Sequence, residues 1–312
     1  MSGKYATETL GAGKEGLVRA LAILRDGGLV AVPTETVYGL AARADEDAAV
    51  ARIYEAKGRP SFNPLIVHVA SLEAARALAE FSPSAEALAA AHWPGPLTLV
   101  LPRRADANLA AAVTAGLETV AIRMPEHPVL RRILADAEFP LAAPSANRSG
   151  FISPTSVEHV LVSLDGRIEA VVDGGPCEAG LESTIIAVRA DGSLDQLRPG
   201  PIAIGDGEPV SADKAGIEAP GQLLSHYAPG KPVRLNATRA RPDEFLIAFG
   251  DVAGDCSLSL EGNLEEAASR LYACLHEGAR SAKPRIAVAP VPRTGLGLAI
   301  NDRLRRAATP PD

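Results

Sequence analysis

The chain has 312 residues, of which 47% are hydrophobic, so it is long enough for two domains and too apolar to be disordered throughout. Its 31 basic and 38 acidic side chains give a net charge of −7, which argues against a surface that gathers a nucleic-acid backbone. No apolar run is long enough to span a bilayer, and the N-terminus lacks the apolar core of a secretory signal. We therefore expect a cytoplasmic protein, and any anion that it binds is expected to be small.

Short apolar runs alternate with amphipathic stretches over the first two-thirds of the chain, which predicts an α/β domain. Strands are predicted at 29–33, 65–69, 97–102, 119–125, 169–175, 183–188 and 194–200, and helices near 16–26, 45–58, 71–80, 84–92, 127–137 and 155–164. The last three predicted strands follow one another closely, so we expect a mixed sheet rather than a purely parallel one.

The composition of the sequence changes at residues 205–232. These residues are rich in Gly, Pro and Asp and are interpreted as a linker. Periodic segments resume over residues 233–312, including a long helix in "NLEEAASRLYACLHEGARSA" and a final helix in "LAINDRLRRAA". They predict a smaller second α/β domain. Cys177, Cys256 and Cys274 have no metal-binding spacing and are expected to be reduced thiols.

The motif "GAGKEG", residues 11–16, has the GxGxxG spacing of a dinucleotide-binding loop. Such a loop needs a strand before it and a helix after it. The preceding segment "KYATETL" is polar, so no strand is predicted there, and we interpret the glycines as the opening of a helix.

Cations lie beside several predicted strands. In "KGRPSFNP", residues 57–64, two prolines restrict the backbone that presents Lys57 and Arg59. Arg123 ends the apolar strand of "TVAIRMP", where burial without an anion would be costly, and Arg198 lies in the turn "LRPG". Phosphate or carboxylate oxygens would suit these cations, while a solvated surface for the pair and a structural ion pair for Arg123 stay open as alternatives.

Polar loops follow strands in "PTETVYGL", "PSANRSG" and "GLESTII". The last of these lacks GxSxG spacing, and no histidine is placed to activate Ser183, so Ser183 and Thr184 are interpreted as ligand contacts rather than nucleophiles. Because ligands of α/β sheets gather beyond strand ends, the loops and cations together predict an anion pocket without covalent machinery.

These segments resemble the YrdC-like threonylcarbamoyl-AMP synthases. The family's motifs occur here in the same order, as "PTETVYGL", "KGRPSFNPLIVHV", "WPGPLTLVL", "AIRMPEHP", "PLAAPSANRSG", "GLESTII" and "LRPG", over residues 16–201. The segments "HYAPGKP" and "GLGLAINDRLRRAA" are similar to the linker and C-terminal domain of the family's long form. The resemblance implies a YrdC-like twisted mixed-sheet domain at 1–204, a linker or lid at 205–232, and a smaller Rossmann-like C-terminal α/β domain at 233–312.

The resemblance also implies a reaction. L-threonine, bicarbonate or CO2, and ATP with Mg2+ would give L-threonylcarbamoyl-AMP and pyrophosphate, through a carbamate that attacks the α-phosphorus in line. Mg2+ would be held mainly by phosphate oxygens rather than by a metal site of the protein. A separate transferase complex would then pass the threonylcarbamoyl group to tRNA, and the synthase itself would need no stable contact with nucleic acid or membrane.

Residue roles follow as further implications of the resemblance. The L-threonine site would comprise Thr36, His68, Arg123, Ala143 and Ser183, with Arg123 on the carboxylate. The ATP site would comprise Lys57, Arg59, Asn63, Thr119, Ser145, Asn147, Ser153, Arg198 and, from the linker, Tyr227. Lys57 and Arg59 would be the catalytic pair facing the triphosphate. Gln222 and Ser225 depart from the family's usual linker pattern, which bears on how a lid would close.

Two other functions are compatible with this sequence. One is a related carbamoyl-adenylate-forming enzyme that uses another carbamoyl donor, as in hydrogenase maturation proteins, although their additional zinc-finger and acylphosphatase regions are absent here. The other is a non-catalytic module that binds double-stranded RNA, which the negative net charge disfavours.

Overall fold

The computed structural model describes residues 6–204, 217–222 and 226–310. Its strands are Glu8–Gly11 (β1), Val30–Val32 (β2), Gly39–Arg43 (β3), Ile66–His68 (β4), Leu97–Pro102 (β5), Thr119–Arg123 (β6), Leu141–Ala142 (β7), Ala170–Asp173 (β8), Thr184–Val188 (β9), Leu194–Arg198 (β10), Val233–Arg234 (β11), Glu244–Ala248 (β12), Cys256–Ser257 (β13) and Arg285–Val288 (β14). Its α-helices are Lys14–Arg25 (α1), Asp47–Lys57 (α2), Leu72–Arg76 (α3), Pro83–His92 (α4), Pro128–Ala137 (α5), Val157–Leu164 (α6), Leu264–Arg280 (α7) and Leu296–Ala308 (α8).

The first ten strands form one sheet in the order β1-β8-β2-β3-β7-β4-β6-β5-β9-β10. Its neighbours β4–β6 and β5–β9 are parallel, whereas β3–β7 and β9–β10 are antiparallel. The predicted mixed sheet is therefore confirmed. Between β9 and β10 the pairing is antiparallel because the two strands follow each other too closely for a crossover helix.

Local sequence signals account for most helix boundaries. Gly58 adopts the left-handed conformation (φ 60°) that ends α2, and this requirement is typical of a glycine C-cap. Ser82 caps α4 by accepting a hydrogen bond from the backbone N–H of Ala85, and Pro83 opens the first turn. These turns place the following strands where the sequence pattern predicts them.

The central strands bury both faces, because neighbouring side chains of a strand point in opposite directions. Val67 of β4 and Ile122 of β6 belong to the main core of the domain. Their neighbours Ile66 and Ala121 face the other way and form a smaller apolar cluster with Ala219. Ala219, from the segment that the sequence identifies as a linker, thus packs on this second face of the sheet.

Strand β1 directly precedes the motif "GAGKEG", so the prediction that no strand lies there was wrong. The strand is at the sheet edge and buries only Leu10, which is why its sequence is polar. A Cβ on Gly16 would lie 1.9 Å from the carbonyl oxygen of Gly11. This glycine therefore permits the close approach of α1 to β1.

The remaining strands form a parallel sheet in the order β11-β14-β12-β13, accompanied by α7 and α8. This is the predicted smaller α/β unit. Cys256 on β13 and Cys274 on α7 form a disulfide with Cα atoms 6.2 Å apart, so the expectation of reduced thiols was wrong for this pair. Cys177 is a free, buried thiol.

The two units share a core, which contains Val37 and Leu181 from the first and Leu271 and Ile300 from the second. A Cβ on Gly180 would lie 2.5 Å from the Cα of Ser269 on α7, so backbone meets backbone there. The C-terminal unit consequently packs directly against the loop that precedes β9.

The predicted linker is described only in part. Residues 205–216 and 223–225, including Ser225, lie outside the described residues, and the domain limits at 204 and 233 stay predictions. Within the ranges that the structure describes, no helix is long and apolar enough to cross a membrane.

Candidate active site

A cavity of about 40 Å3 lies where the carboxyl ends of β4 and β6 meet the loop before β9, and we call it the site cavity. Because β4 and β6 are parallel neighbours in register, His68 and Arg123 end them side by side. The predicted site residues that line this cavity are Thr36, Arg59, His68, Arg123, Ala143, Ser145, Ser183, Arg198 and Tyr227. The structure thus brings residues from seven separate motifs to one place.

Arg123 is buried and its guanidinium has three contacts inside the chain. Nη1 donates to Oγ1 of Thr36 at 2.9 Å, and Nε donates to the carbonyl oxygen of Gly95 at 3.3 Å. Nη2 donates to a carboxylate oxygen of Glu35 at 2.5 Å. A guanidinium has five N–H groups, so two remain for a further acceptor.

Glu35 is the partner of Arg123 that sequence analysis missed. Burial opposes its ionisation, but the charge of Arg123 and its hydrogen bond lower the pKa of the Glu35 carboxyl below its ordinary value. Its other oxygen accepts from the backbone N–H groups of Glu126 and His127 at the start of α5. The open alternative of a structural ion pair for Arg123 is therefore realised in this structure, alongside its place in the site cavity.

Arg198 ends β10 and is held by the loop before β9. Nε donates to the carbonyl oxygen of Ser183 and Nη2 to its hydroxyl, both at 3.0 Å, while Nη1 lies 3.4 Å from the carbonyl oxygen of Pro220. The Ser183 hydroxyl also lies 2.7 Å from Oγ1 of Thr98. No carboxylate among the described residues pairs with Arg198, and burial lowers its pKa.

Lys57 and Arg59 are buried but are arranged differently from each other. Nζ of Lys57 donates to the carbonyl oxygens of Ser145 at 2.6 Å and Asn147 at 2.5 Å, and it does not line the cavity. Arg59 lines the cavity while donating to Oδ1 of Asn63 at 2.7 Å. Oxygens of the chain therefore contact both cations, since Arg59 also donates to the carbonyl oxygens of Asn63 and Pro64. The catalytic role of the pair stays a prediction.

The other predicted ATP residues that lie outside the cavity wall are Asn63, Thr119, Asn147 and Ser153. Asn147 donates to the carbonyl oxygens of Arg148 and Phe151, and so shapes the loop that carries Ser145. Thr119 begins β6 and shares a sheet face with Arg123 at its other end. The assignments of all these residues to ATP stay predictions.

The described part of the linker closes the cavity. Gly221, His226 and Tyr227 line it, and Tyr227 is 1% exposed. Nδ1 of His68, Nδ1 of His226 and Oη of Tyr227 are buried and find no hydrogen-bond partner in the described part of the chain. Because buried polar atoms are normally paired, these atoms indicate a ligand-binding site whose polar contacts are incomplete.

Glu182 is a second residue that sequence analysis missed. It lines the cavity, and its carboxylate accepts from Ser153 at 2.6 Å, from Tyr272 at 2.8 Å and from Arg303 at 2.9 Å. Burial opposes ionisation, but the charges of Arg303 and Arg198 lower the pKa of Glu182 to about 2. The available sequence signal for Glu182 was its position next to Ser183. Two of its partners, Tyr272 on α7 and Arg303 on α8, are distant in sequence.

Comparisons with known proteins agree with this architecture. Residues 22–200 match the Sua5–YciO–YrdC family model, described as telomere recombination, and residues 181–309 match the model for the threonylcarbamoyl-AMP synthase C-terminal domain. A threonylcarbamoyl-AMP synthase of Bacillus subtilis is 41% identical over 97% of this chain and 95% of its own, and one of Pyrococcus abyssi is 40% identical over 93% of each chain.

A solved structure shows the same fold over its full length. The crystal structure of P. abyssi Sua5 in complex with L-threonine has a TM-score of 0.86 and 37% identity, covering 97% of both chains. These comparisons confirm the predicted fold class and enzyme class. The chain belongs to the threonylcarbamoyl-AMP synthase family.

Proposed function

We propose that this protein joins L-threonine, CO2 derived from bicarbonate, and ATP into L-threonylcarbamoyl-AMP, with release of pyrophosphate. The observation that carries the proposal is the site cavity, where Arg59, Arg123 and Arg198 converge from separate elements. Arg59 and Arg198 have no carboxylate partner among the described residues, and Arg123 keeps two N–H groups beyond its pair with Glu35. A triphosphate and a substrate carboxylate would provide the missing acceptors. The full-length similarity to named synthases supports the same reaction.

Threonine is proposed to bind where β4 and β6 end. The two N–H groups that Arg123 has left would form a forked contact with the substrate carboxylate, while Glu35 keeps the guanidinium in plane. His68 lies beside Arg123, and burial holds its pKa down to about 3, so it is a neutral donor or acceptor. That P. abyssi Sua5 forms a complex with L-threonine supports threonine as the ligand.

ATP is proposed to bind on the Arg59 and Arg198 side of the cavity. The threonine amine adds to CO2 and loses a proton to form a carbamate, whose oxygen attacks the α-phosphorus. The bond from the α-phosphorus to the bridging oxygen then breaks, and pyrophosphate leaves with that electron pair. Arg59 and Arg198 would offset the charge that develops on the phosphate oxygens, so the catalytic contribution is positioning and charge neutralisation.

Magnesium is proposed to enter with ATP. Glu182 is the one carboxylate among the described residues that line the cavity, and it already accepts from three side chains, so it is poorly suited to be a metal ligand. Within the described residues no group of three or more His, Cys, Asp or Glu side chains could hold a metal. A Mg2+ ion bound mainly through phosphate oxygens and water fits this donor set, and would neutralise phosphate charge.

The cavity must enlarge for this reaction. Its volume of about 40 Å3 has room for a few water molecules only. The segments that close it, residues 220–221 and 226–227, come from the predicted linker. We therefore infer that they act as a lid, which moves aside for ATP and then returns over the nucleotide.

The product is a reactive mixed anhydride, so we propose that a transferase for tRNA consumes it. We also propose that the protein works in the cytoplasm.

The test of the proposed reaction is a pyrophosphate-release assay with each substrate omitted in turn. Release should require threonine, bicarbonate and Mg-ATP together. Equal release without threonine would remove threonine as substrate and overturn the proposal.

A further inference from the structure

The C-terminal helix α8 contributes a fully buried cation to the back of the catalytic site. Arg303 has no solvent exposure, yet it lies far in sequence from every cavity residue of the first domain. Nε donates to Glu182 at 2.9 Å, and Nη1 donates to the carbonyl oxygen of Pro199 at 2.8 Å. Glu182 and Pro199 immediately adjoin Ser183 and Arg198, two residues of the cavity wall.

Glu182 is the charge that this arrangement has to compensate. Its carboxylate is buried, and it also lines the cavity close to Arg198. Arg198 is near enough to help lower the pKa of Glu182, although its hydrogen bonds go to Ser183 and Pro220 instead. Two arginines are therefore available to one carboxylate, and Arg303 is the one bonded to it.

We propose that Arg303 is a positioning residue that neutralises Glu182 and thereby leaves Arg198 free to bind the nucleotide's phosphates. This inference rests on the proposed function for the role of Arg198. The C-terminal domain then completes the catalytic site of the first domain. Its contribution is a counter-ion, not a group that touches substrate.

Other contacts of α8 point to the same role. The Arg303 guanidinium lies 5.6 Å from the ring centre of Tyr227, which lines the cavity. The carbonyl oxygen of Arg306 accepts a hydrogen bond at 3.4 Å from the backbone N–H of His226. Helix α8 thus contacts both the loop before β9 and the linker residues that close the cavity.

Removal of Arg303 has a specific consequence. In Arg303→Met the buried Glu182 carboxylate would lose its cation, and an unpaired buried charge is strongly unfavourable. Arg198 is the other arginine whose charge acts on Glu182, so it would turn from the phosphates to Glu182. ATP affinity should then fall, whereas an amino-acid carboxylate bound through Arg123 should be little affected.

The experiment measures ATP binding by titration calorimetry without threonine, and the KM values for ATP and threonine in turnover. Arg303→Met should weaken ATP binding by about tenfold or more and should change the threonine KM by less than about threefold. Arg305→Met is the matched control. Both Arg303 and Arg305 pair with Asp302, at 3.1 and 2.8 Å, but Arg305 is 69% exposed and does not reach Glu182.

The decisive variant is the double substitution Arg303→Met with Glu182→Gln, which removes both charges and should recover most of the ATP affinity. The double variant also allows the inference to be tested if the single variant does not fold. An unchanged ATP affinity in folded Arg303→Met, or a folded double variant that binds ATP no better than the single one, would overturn the inference. If the unaltered protein binds ATP but releases no threonine-dependent pyrophosphate, the proposed reaction fails while the role of Arg303 can still be judged.

Discussion

At the scale of single residues, the site is a set of buried cations whose partners determine what each can bind. Arg123 is paired with Glu35 and keeps two free N–H groups, Arg198 is held by Ser183, and Lys57 is surrounded by carbonyl oxygens. A buried charge without such contacts would be costly. These buried cations therefore have different roles, and each role can be tested separately.

Arg123→Lys should separate charge from shape. Lysine keeps a cation beside Glu35 but cannot form the planar fork that a carboxylate prefers. The threonine KM should rise about tenfold, and the ATP KM should change by less than about threefold. Steady-state kinetics of pyrophosphate release would measure both values. The control is Arg132→Lys on the exposed face of α5, and equal effects of the two variants would contradict the assignment.

Lys57→Met should reveal a role in holding a loop. The substitution removes the Lys57 donor from two buried carbonyl oxygens, and only that of Ser145 keeps another donor, the backbone N–H of Asn147. This loss should cost about 1–3 kcal/mol in the free energy of unfolding. Denaturant unfolding would measure the loss, with the exposed Lys14→Met as control. An unfolding free energy equal to that of the unaltered protein, together with lost ATP binding, would instead indicate direct phosphate contact.

At the scale of secondary structure elements, the segment after β10 lies against the residues that begin β9. A Cβ on Gly200 would lie 2.4 Å from the backbone nitrogen of Thr184 and 2.7 Å from the carbonyl oxygen of Glu182. Backbone atoms of this kind cannot rotate away, unlike the end of a side chain. The position of Ser183 consequently depends on a residue with no side chain at 200.

Gly200→Ala should therefore push β9 and β10 apart at the cavity. We expect a loss of about 1–3 kcal/mol in unfolding free energy and a lower kcat/KM, because the Arg198–Ser183 contacts must shift. Gly11→Ala is the control, since nothing lies within 4 Å of its added Cβ. Thermal and kinetic measurements that match the unaltered protein would show that this close approach is unimportant.

Local sequence patterns predicted most elements, because periodicity and turn signals are short-range. They also singled out Arg59, Arg123, Ser183 and Arg198 of the cavity wall, whereas the other predicted residues of that wall came from the resemblance to the family. The pattern failed at β1, where an edge strand buries one side chain, and at the Cys256–Cys274 pair, which depends on how β13 meets α7. It also missed the Glu35–Arg123 and Glu182–Arg303 pairs, whose members are 88 and 121 residues apart. Ion pairs between residues so far apart in sequence produce no local spacing pattern from which they could be predicted.

At the scale of the whole molecule, the two domains meet through polar as well as apolar contacts. His159 on α6 and His276 on α7 stack with ring centres 3.8 Å apart, and His276 lies 3.2 Å from the carbonyl oxygen of Ser153. Burial and the nearby charge of Arg280 lower the pKa of His159 to about 4, with Glu158 opposing. Burial and the neighbouring His159 lower the pKa of His276 to about 3.

This pair should make the stability depend on pH. Both histidines titrate near pH ~6.5 when unfolded, so below that pH the unfolded chain binds more protons than the folded one. Stability should thus be full above pH ~6.5 and fall as the pH drops toward the folded pKa values. The unfolding free energy measured from pH 7 to 5 should fall less steeply for His276→Phe than for the unaltered protein. His92→Phe is the control. If the unfolding free energy of His276→Phe fell as steeply with pH as that of the unaltered protein, the prediction would be wrong.

The most direct test of the central claim, that one cavity joins threonine, CO2 and an adenylyl group, is an isotope experiment. The protein is incubated with carbon-13 bicarbonate, nitrogen-15 threonine and Mg-ATP, and the carbon and phosphorus spectra are recorded, with Arg198→Met as control. We expect a carbon signal coupled to both nitrogen-15 and phosphorus-31, together with pyrophosphate in equal amount. AMP and pyrophosphate formed without any carbon coupled to phosphorus would contradict it.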